Sequence, residues 1–179
     1  MLATLVLALS ACGKEDEAAA PAPAPAAASA PAPAPAVKVA PVAAPAASLA
    51  LLKDYLAAWN EHDADKAASF MDANVAYFDA AFAGMQTGRD AAVEHGIKVF
   101  LRGVPDLKWE IRSDPIVAAD GIAYEWTFTG TNTGTWGGVH ATNQKIQLKG
   151  VGFIRIRDGK IIYQAVYYDS ASLNRQLGL

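Results

Sequence analysis

The apolar positions from residue 48 onward change their period once, and that change divides the domain into a helical part and a strand part. Leu49, Leu52, Leu56 and Trp59, with Leu51 and Tyr55 beside them, recur at helical spacing and predict a first helix ending near Asn60. His62-Asp63 makes a turn, and Asp63 is placed to N-cap a short second helix reaching Met71 and carrying Ala67 and Phe70. Asn74 to Asp79 reads as a first strand, Ala80 to Gln86 as irregular, and Arg89 to about Leu101 as a third helix. That helix buries Val93, Gly96, Ile97 and Phe100. Thereafter the period is two. Asp106–Val117 (interrupted at Pro115), Ile122–Thr131 and Lys145–Arg157 read as long strands, the first two joined by the Asp120-Gly121 turn.

A second Asp-Gly turn, Asp158-Gly159, leads into a last strand dense in β-branched and aromatic residues, ending on Asp169. Ser170 to Leu177 then forms a short closing helix with Gly178 as its stop. Helices first and long antiparallel strands after them predict an α+β fold, a curved antiparallel or mixed sheet wrapped around N-terminal helices.

Composition sets the domain boundaries. Eight of the ten prolines lie between Pro21 and Pro45. Residues 13–47 therefore read as an Ala/Pro-rich tether, extended in the polyproline II manner, and residues 48–179 as one globular domain. The net charge is −3 with no basic block, so a nucleic-acid partner is not expected. Residues 1–12 begin with an apolar run of signal-peptide length. It leads into Leu9-Ser10-Ala11-Cys12, which resembles the lipobox of bacterial lipoproteins. That resemblance implies lipidation of Cys12 and a periplasm-facing place in the cell envelope. Gly13 after the cysteine resembles the pattern of outer-membrane sorting. No Lys or Arg precedes the apolar run, so a start upstream of Met1 is expected. Cys12 is the chain's single cysteine, which excludes a disulfide within the chain.

Three segments carry a further resemblance. Ala58-Trp59-Asn60-Glu61-His62-Asp63, Phe128-Thr129-Gly130-Thr131-Asn132-Thr133-Gly134-Thr135-Trp136, and the ending from Asp158-Gly159-Lys160-Ile161 to Gln176-Leu177-Gly178 resemble, in order, the SnoaL-like polyketide cyclase family. The resemblance implies the NTF2-like cone fold and a cavity plugged by the N-terminal helices. It also implies no cofactor or metal. Candidate cavity walls, for a small, largely apolar ligand, are Tyr55, Trp59, Tyr77, Phe82, Met85, Trp109, Trp126, Trp136 and Tyr167. His140, in the Gly-rich loop, is a further ligand candidate.

Strand alternation puts Asp169 on one face with Ile161, Tyr163, Ala165 and Tyr167, apolar company for a carboxylate. There it would be a catalytic proton shuttle; the alternative is a cap on the closing helix. Gln164-Ala165-Val166 stand where other family members carry His, Trp or acidic residues. Glu125 is expected on the solvated face, and Asp79 could reach the cavity mouth. Two functions follow. One is a membrane-tethered domain that binds a small apolar molecule without clear catalysis, with a possible homodimer through the sheet. The other is a cofactor-free cyclase, isomerase or dehydratase working through Asp169.

Overall fold

The computed structural model describes residues 45–82 and 84–179. The expectations for the signal peptide, for Cys12 and for most of the tether lie outside the described residues. Helix α1 (Pro45–Asn60) starts within the stretch read as tether, with proline at its first position, where a missing N–H costs nothing. Its sequence holds no β-branched residue, and Leu52, Tyr55, Leu56 and Trp59 bury one stripe. His62, at φ 60°, turns the chain. Helix α2 (Ala64–Ser69) is capped by Asp63, whose side chain accepts from Lys66 N at 2.8 Å.

Strands β1 (Met71–Asp79) and β2 (Gln86–Thr87) precede a helical rod made of α3 (Arg89–Ala92), a π-helical stretch (Val93–Ile97) and α4 (Lys98–Gly103). Gly96 in the π segment is required by packing: a Cβ there would stand 2.7 Å from the Tyr77 ring. The remaining strands are β3 (Lys108–Ile111), β4 (Ile116–Val117), β5 (Gly121–Thr131), β6 (Lys145–Arg157) and β7 (Lys160–Tyr168), and α5 (Ser170–Leu177) closes the chain. The sheet has seven strands in the order β2-β1-β7-β6-β5-β3, with β4 also on β5. All pairings are antiparallel except β1 with β7. The expected α+β architecture is the observed one, a curved, unclosed sheet around the N-terminal helices.

The three motif segments act as clamps between elements. Asn60 at the end of α1 donates Nδ2–H to Trp109 O at 2.9 Å and accepts from Trp109 N at 2.7 Å, pinning α1 to the backbone of β3. Asp106 accepts from Thr131 N at 2.6 Å and from Thr131 Oγ1 at 2.9 Å. Asn132 is fully buried; it donates to Gly103 O and Gly134 O and accepts from Thr142 N. Gly134 passes so close to the end of α4 that a Cβ would lie 1.9 Å from Arg102 O. At the C-terminus, Gln176 bridges both backbone groups of Gln147, tying α5 to β6. Gly178 ends α5 at φ 80°.

Asn60→Ala is expected to lower the unfolding free energy by about 2–3 kcal/mol, since it leaves the Trp109 N–H and C=O without partners. Urea denaturation checks this; an unchanged midpoint would show that the clamp does not hold α1 in place.

Candidate functional site

Room for a site arises on the inner face of β6. Ile146, Leu148 and Ile154 point inward and are buried, but between them stand Gly150 and Gly152. A Cβ on Gly150 would come within 2.4 Å of Trp126 Cζ2, and one on Gly152 within 2.4 Å of Tyr124 Cζ. The glycines thus let two rings of β5 lie across β6. Trp126 then meets Tyr168 of β7 edge-on, with centroids 5.8 Å apart.

The cavity left inside the cone measures about 20 Å³, room for about one water molecule. Trp59 of α1, Tyr77 of β1, Trp109 of β3 and Trp126 of β5 line it. Phe100, Phe128, Leu148, Val166 and Tyr168 complete the wall. Trp59, Trp109 and Trp126 form a chain of perpendicular contacts at 5.0 and 5.8 Å. Phe100 is touched edge-on by Phe82 and by Trp136, both of which line a separate shallow groove beside Leu173 and Leu177. Its ring lines the cavity and does not line the groove.

The acidic group in this apolar wall is Asp79, at the end of β1. It is 3% exposed and, among the described residues, the buried carboxylate. Its Oδ1 accepts from Tyr168 Oη at 2.8 Å and from Ala81 N at 2.9 Å. Oδ2 accepts no hydrogen bond from the described residues. Burial pushes the Asp79 carboxyl up to about 6, against the two hydrogen bonds that favour its charged form. The Tyr168 hydroxyl is held far above its ordinary value, first by burial and then by the neighbouring carboxylate.

A second polar group lies on the same side of the sheet. Tyr55 and Gln164 are fully buried and Tyr124 nearly so. The Tyr55 hydroxyl is turned toward Trp59 and Gln164. Among the described residues the Tyr124 hydroxyl and the indole N–H groups of Trp109 and Trp126 have no hydrogen-bond partner, and the Tyr55 hydroxyl, Trp59 Nε1 and the Gln164 amide face one another short of good hydrogen-bond geometry. Among the described residues, no group of three or more His, Cys, Asp or Glu side chains could hold a metal ion.

Other expected site residues stand elsewhere. Asp169 is exposed and N-caps α5, accepting from Ser172 N at 3.0 Å and from Arg175 Nη2 at 3.4 Å. It is the helix cap and does not line the cavity. Tyr167 is 44% exposed on the outer face, packed against Phe78 and Phe153. Both departures have one cause. Ile161 pairs with Ile156 and Tyr163 with Arg155, so Ile162 is an extra residue, a β-bulge that reverses the alternation of β7. Beyond it Gln164, Val166 and Tyr168 face inward, and Tyr163 and Tyr167 face out. Met85 is 46% exposed and His140 is exposed, so neither reaches the cavity. Trp136 is buried behind Phe100 rather than in the wall, and Tyr55 belongs to the second polar group. Glu125 is exposed, bonded by Ser113 Oγ at 3.0 Å, as its solvated placement anticipated. Sequence reasoning passed over Tyr168 and Gln164, because nothing local announces the bulge.

Several solved structures share this architecture. A candidate SnoaL-like polyketide cyclase from a Jannaschia species superposes with a TM-score of 0.67 at 15% identity, over 79% of this chain and 97% of its own. AclR of Streptomyces galilaeus, described as a candidate hydroxylase, gives 0.65 at 24% identity, over 75% and 83%. A protein of ketosteroid isomerase-like fold from Catenulispora acidiphila, in complex with trimethylamine, gives 0.62 at 19% identity, over 72% and 92%. At these identities the likeness is one of fold. No curated protein matches the chain. The model of the SnoaL-like polyketide cyclases matches residues 50–177, most of the chain and nearly all of the described domain, and the chain therefore belongs to the SnoaL-like polyketide cyclase family.

Proposed function

We propose that the cone holds a small, largely apolar molecule and that Asp79 exchanges a proton with it, in the manner of a cofactor-free cyclase, isomerase or dehydratase. The observation that carries this reading is the Asp79 carboxylate, buried in an aromatic cavity with one oxygen held by Tyr168 and Ala81 and the other unbonded among the described residues. A carboxyl pushed up to about 6 is a stronger base than an ordinary aspartate and is still ionised at neutral pH. Aimed at a carbon beside a carbonyl, Oδ2 can take the proton while Tyr168 keeps the carboxylate oriented. The cavity at rest admits about one water. A larger ligand enters by swinging the Phe100 ring, which joins the cavity to the groove behind it. The lipobox resemblance supports a tether to the cell envelope through Cys12. The half-exposed Val151, Phe153 and Tyr167 on the outer sheet face support a homodimer packed there.

The reading is tested by deuterium exchange from solvent into the α-carbons of cyclohexanone. Asp79→Asn should slow enzyme-dependent exchange by about a hundredfold or more, while Asp169→Asn leaves it unchanged. Equal exchange in Asp79→Asn and the parent protein would remove the proposal. In the parent the rate should rise with pH through about 6, because the ionised carboxylate is the base.

Stability gives an independent check of the carboxyl's environment. Its folded value lies above that of the unfolded chain, so between about pH 4 and 6 the folded state binds the extra proton. Folding is therefore favoured at acid pH by this group and loses that advantage as pH rises. At pH 7 Asp79→Asn should be the more stable protein by up to about 3 kcal/mol, and the difference from wild type should vanish toward pH 4. Thermal denaturation of the two proteins across that range measures it; a constant difference would mean that Asp79 titrates normally.

Cys12→Ser should move the protein from the membrane to the soluble fraction and abolish incorporation of radiolabelled palmitate. Unaltered membrane association would remove the tether from the proposal.

A further inference from the structure

The Asp79 carboxylate is buried without a counter-charge. None of the side chains lining its cavity is basic, and it takes part in no ion pair among the described residues. A carboxylate out of water is costly unless a positive charge or enough hydrogen bonds compensate it. Tyr168 and Ala81 both bond Oδ1, which leaves Oδ2 without a donor among the described residues. The rings beside it form a box rather than a stack. Trp59 meets Trp109 at 89° and Phe100 at 69°, Trp109 meets Trp126 at 80°, and Trp126 meets Tyr168 at 73°. Aromatic walls set at steep angles around one carboxylate suit an organic cation, whose charge is attracted by the rings and whose N–H is bonded by the acid.

We propose that this cavity binds a small alkylammonium ion, with one N–H donated to Asp79 Oδ2 and the alkyl group among the Trp59, Trp109 and Trp126 rings. Other charged occupants fit less well. A metal ion needs several protein ligands, and among the described residues no group of three or more His, Cys, Asp or Glu side chains could supply them. An anion would find the unpartnered indole N–H groups of Trp109 and Trp126, but the buried carboxylate in the same wall would repel it. A guanidinium carries five donors in a planar fork, more than one open carboxylate oxygen in a wall of carbon can satisfy. Size narrows the class further, because a cavity of about 20 Å³ favours the shortest alkyl chains. Binding selects for charge, since a neutral alcohol of the same size gains neither the ion pair nor the full attraction of the rings. This inference rests on the preceding reading only in that the cone admits a small molecule. It asks Asp79 to hold a charge and needs no chemistry on carbon.

The test titrates the full-length chain with ethylammonium chloride and with ethanol, which puts a hydroxyl in place of the ammonium group. Proton NMR at neutral pH and constant ionic strength gives the dissociation constants. The wild-type protein should bind ethylammonium about tenfold or more tighter than ethanol. The ethyl protons should show nuclear Overhauser contacts to the rings of Trp59, Trp109 and Trp126, and none to Trp136, which does not line the cavity. Asp79→Asn keeps the shape and removes the charge; it should weaken ethylammonium about tenfold or more and change ethanol by less than about twofold. Asp169→Asn removes an exposed carboxylate and should change neither. If Asp79→Asn fails to fold, the ring contacts in the wild type decide. Equal affinity for the two probes in the wild type, undiminished ethylammonium binding by Asp79→Asn, or the absence of those contacts overturns the site. Each of these results leaves the proton-transfer reading standing, because deuterium exchange into uncharged cyclohexanone reports on it separately.

Discussion

Every side chain that β7 sends into the cone beyond Ile161 depends on one extra residue, Ile162. The bulge there breaks the register between β6 and β7 and reverses the alternation of everything that follows. Without it Tyr163 and Tyr167 would fill the interior, and Gln164, Val166 and Tyr168 would face out. With it Tyr168 reaches Asp79 and stacks edge-on against Trp126, and Gln164 faces Tyr77 across the strand pair. The neighbouring strand is adapted to the same end. Gly150 and Gly152 of β6 give up side chains so that Trp126 and Tyr124 can cross toward β7.

The residues that hold this arrangement differ from those that give it chemical character. Asn60, Asp106, Asn132 and Gln176 each satisfy backbone groups at a junction between elements. A polar side chain used in this way stabilises the fold, because the backbone atoms it meets would otherwise be buried without partners. Asp79, Gln164, Tyr55 and Tyr124 do the opposite. They carry polarity into a region with too few partners, a local sacrifice of stability of the kind found at functional sites. The motifs common to the family are drawn from the first group, which explains why they specify a fold and leave the reaction open.

The closed form of the cavity is a consequence of aromatic packing. Trp59, Trp109, Trp126 and Phe100 meet in perpendicular contacts that fill the cone down to about one water's volume. The low polarity they create raises the Asp79 carboxyl, so the apolar wall and the shifted acid are aspects of one arrangement.

The sequence by itself determined the elements, their order and the α+β class, since helical and strand periods, Asp-Gly turns and helix caps are local signals. The family resemblance named Trp59, Tyr77, Trp109 and Trp126 as candidate cavity walls together with Met85 and Tyr167, which the structure leaves half-exposed, so it could not separate wall from surface. Tertiary structure decided the chemistry. Asp169 and Asp79 both end strands, and nothing local distinguishes them. One is followed by a helix whose N–H groups need an acceptor, and the other lies in a cavity lined by aromatic rings from six elements. Gln164 and Tyr168 became interior residues only through the bulge, and a bulge is set by how β7 must fit β6 and β1 together. Periodicity in one strand cannot encode a register fixed by its two neighbours.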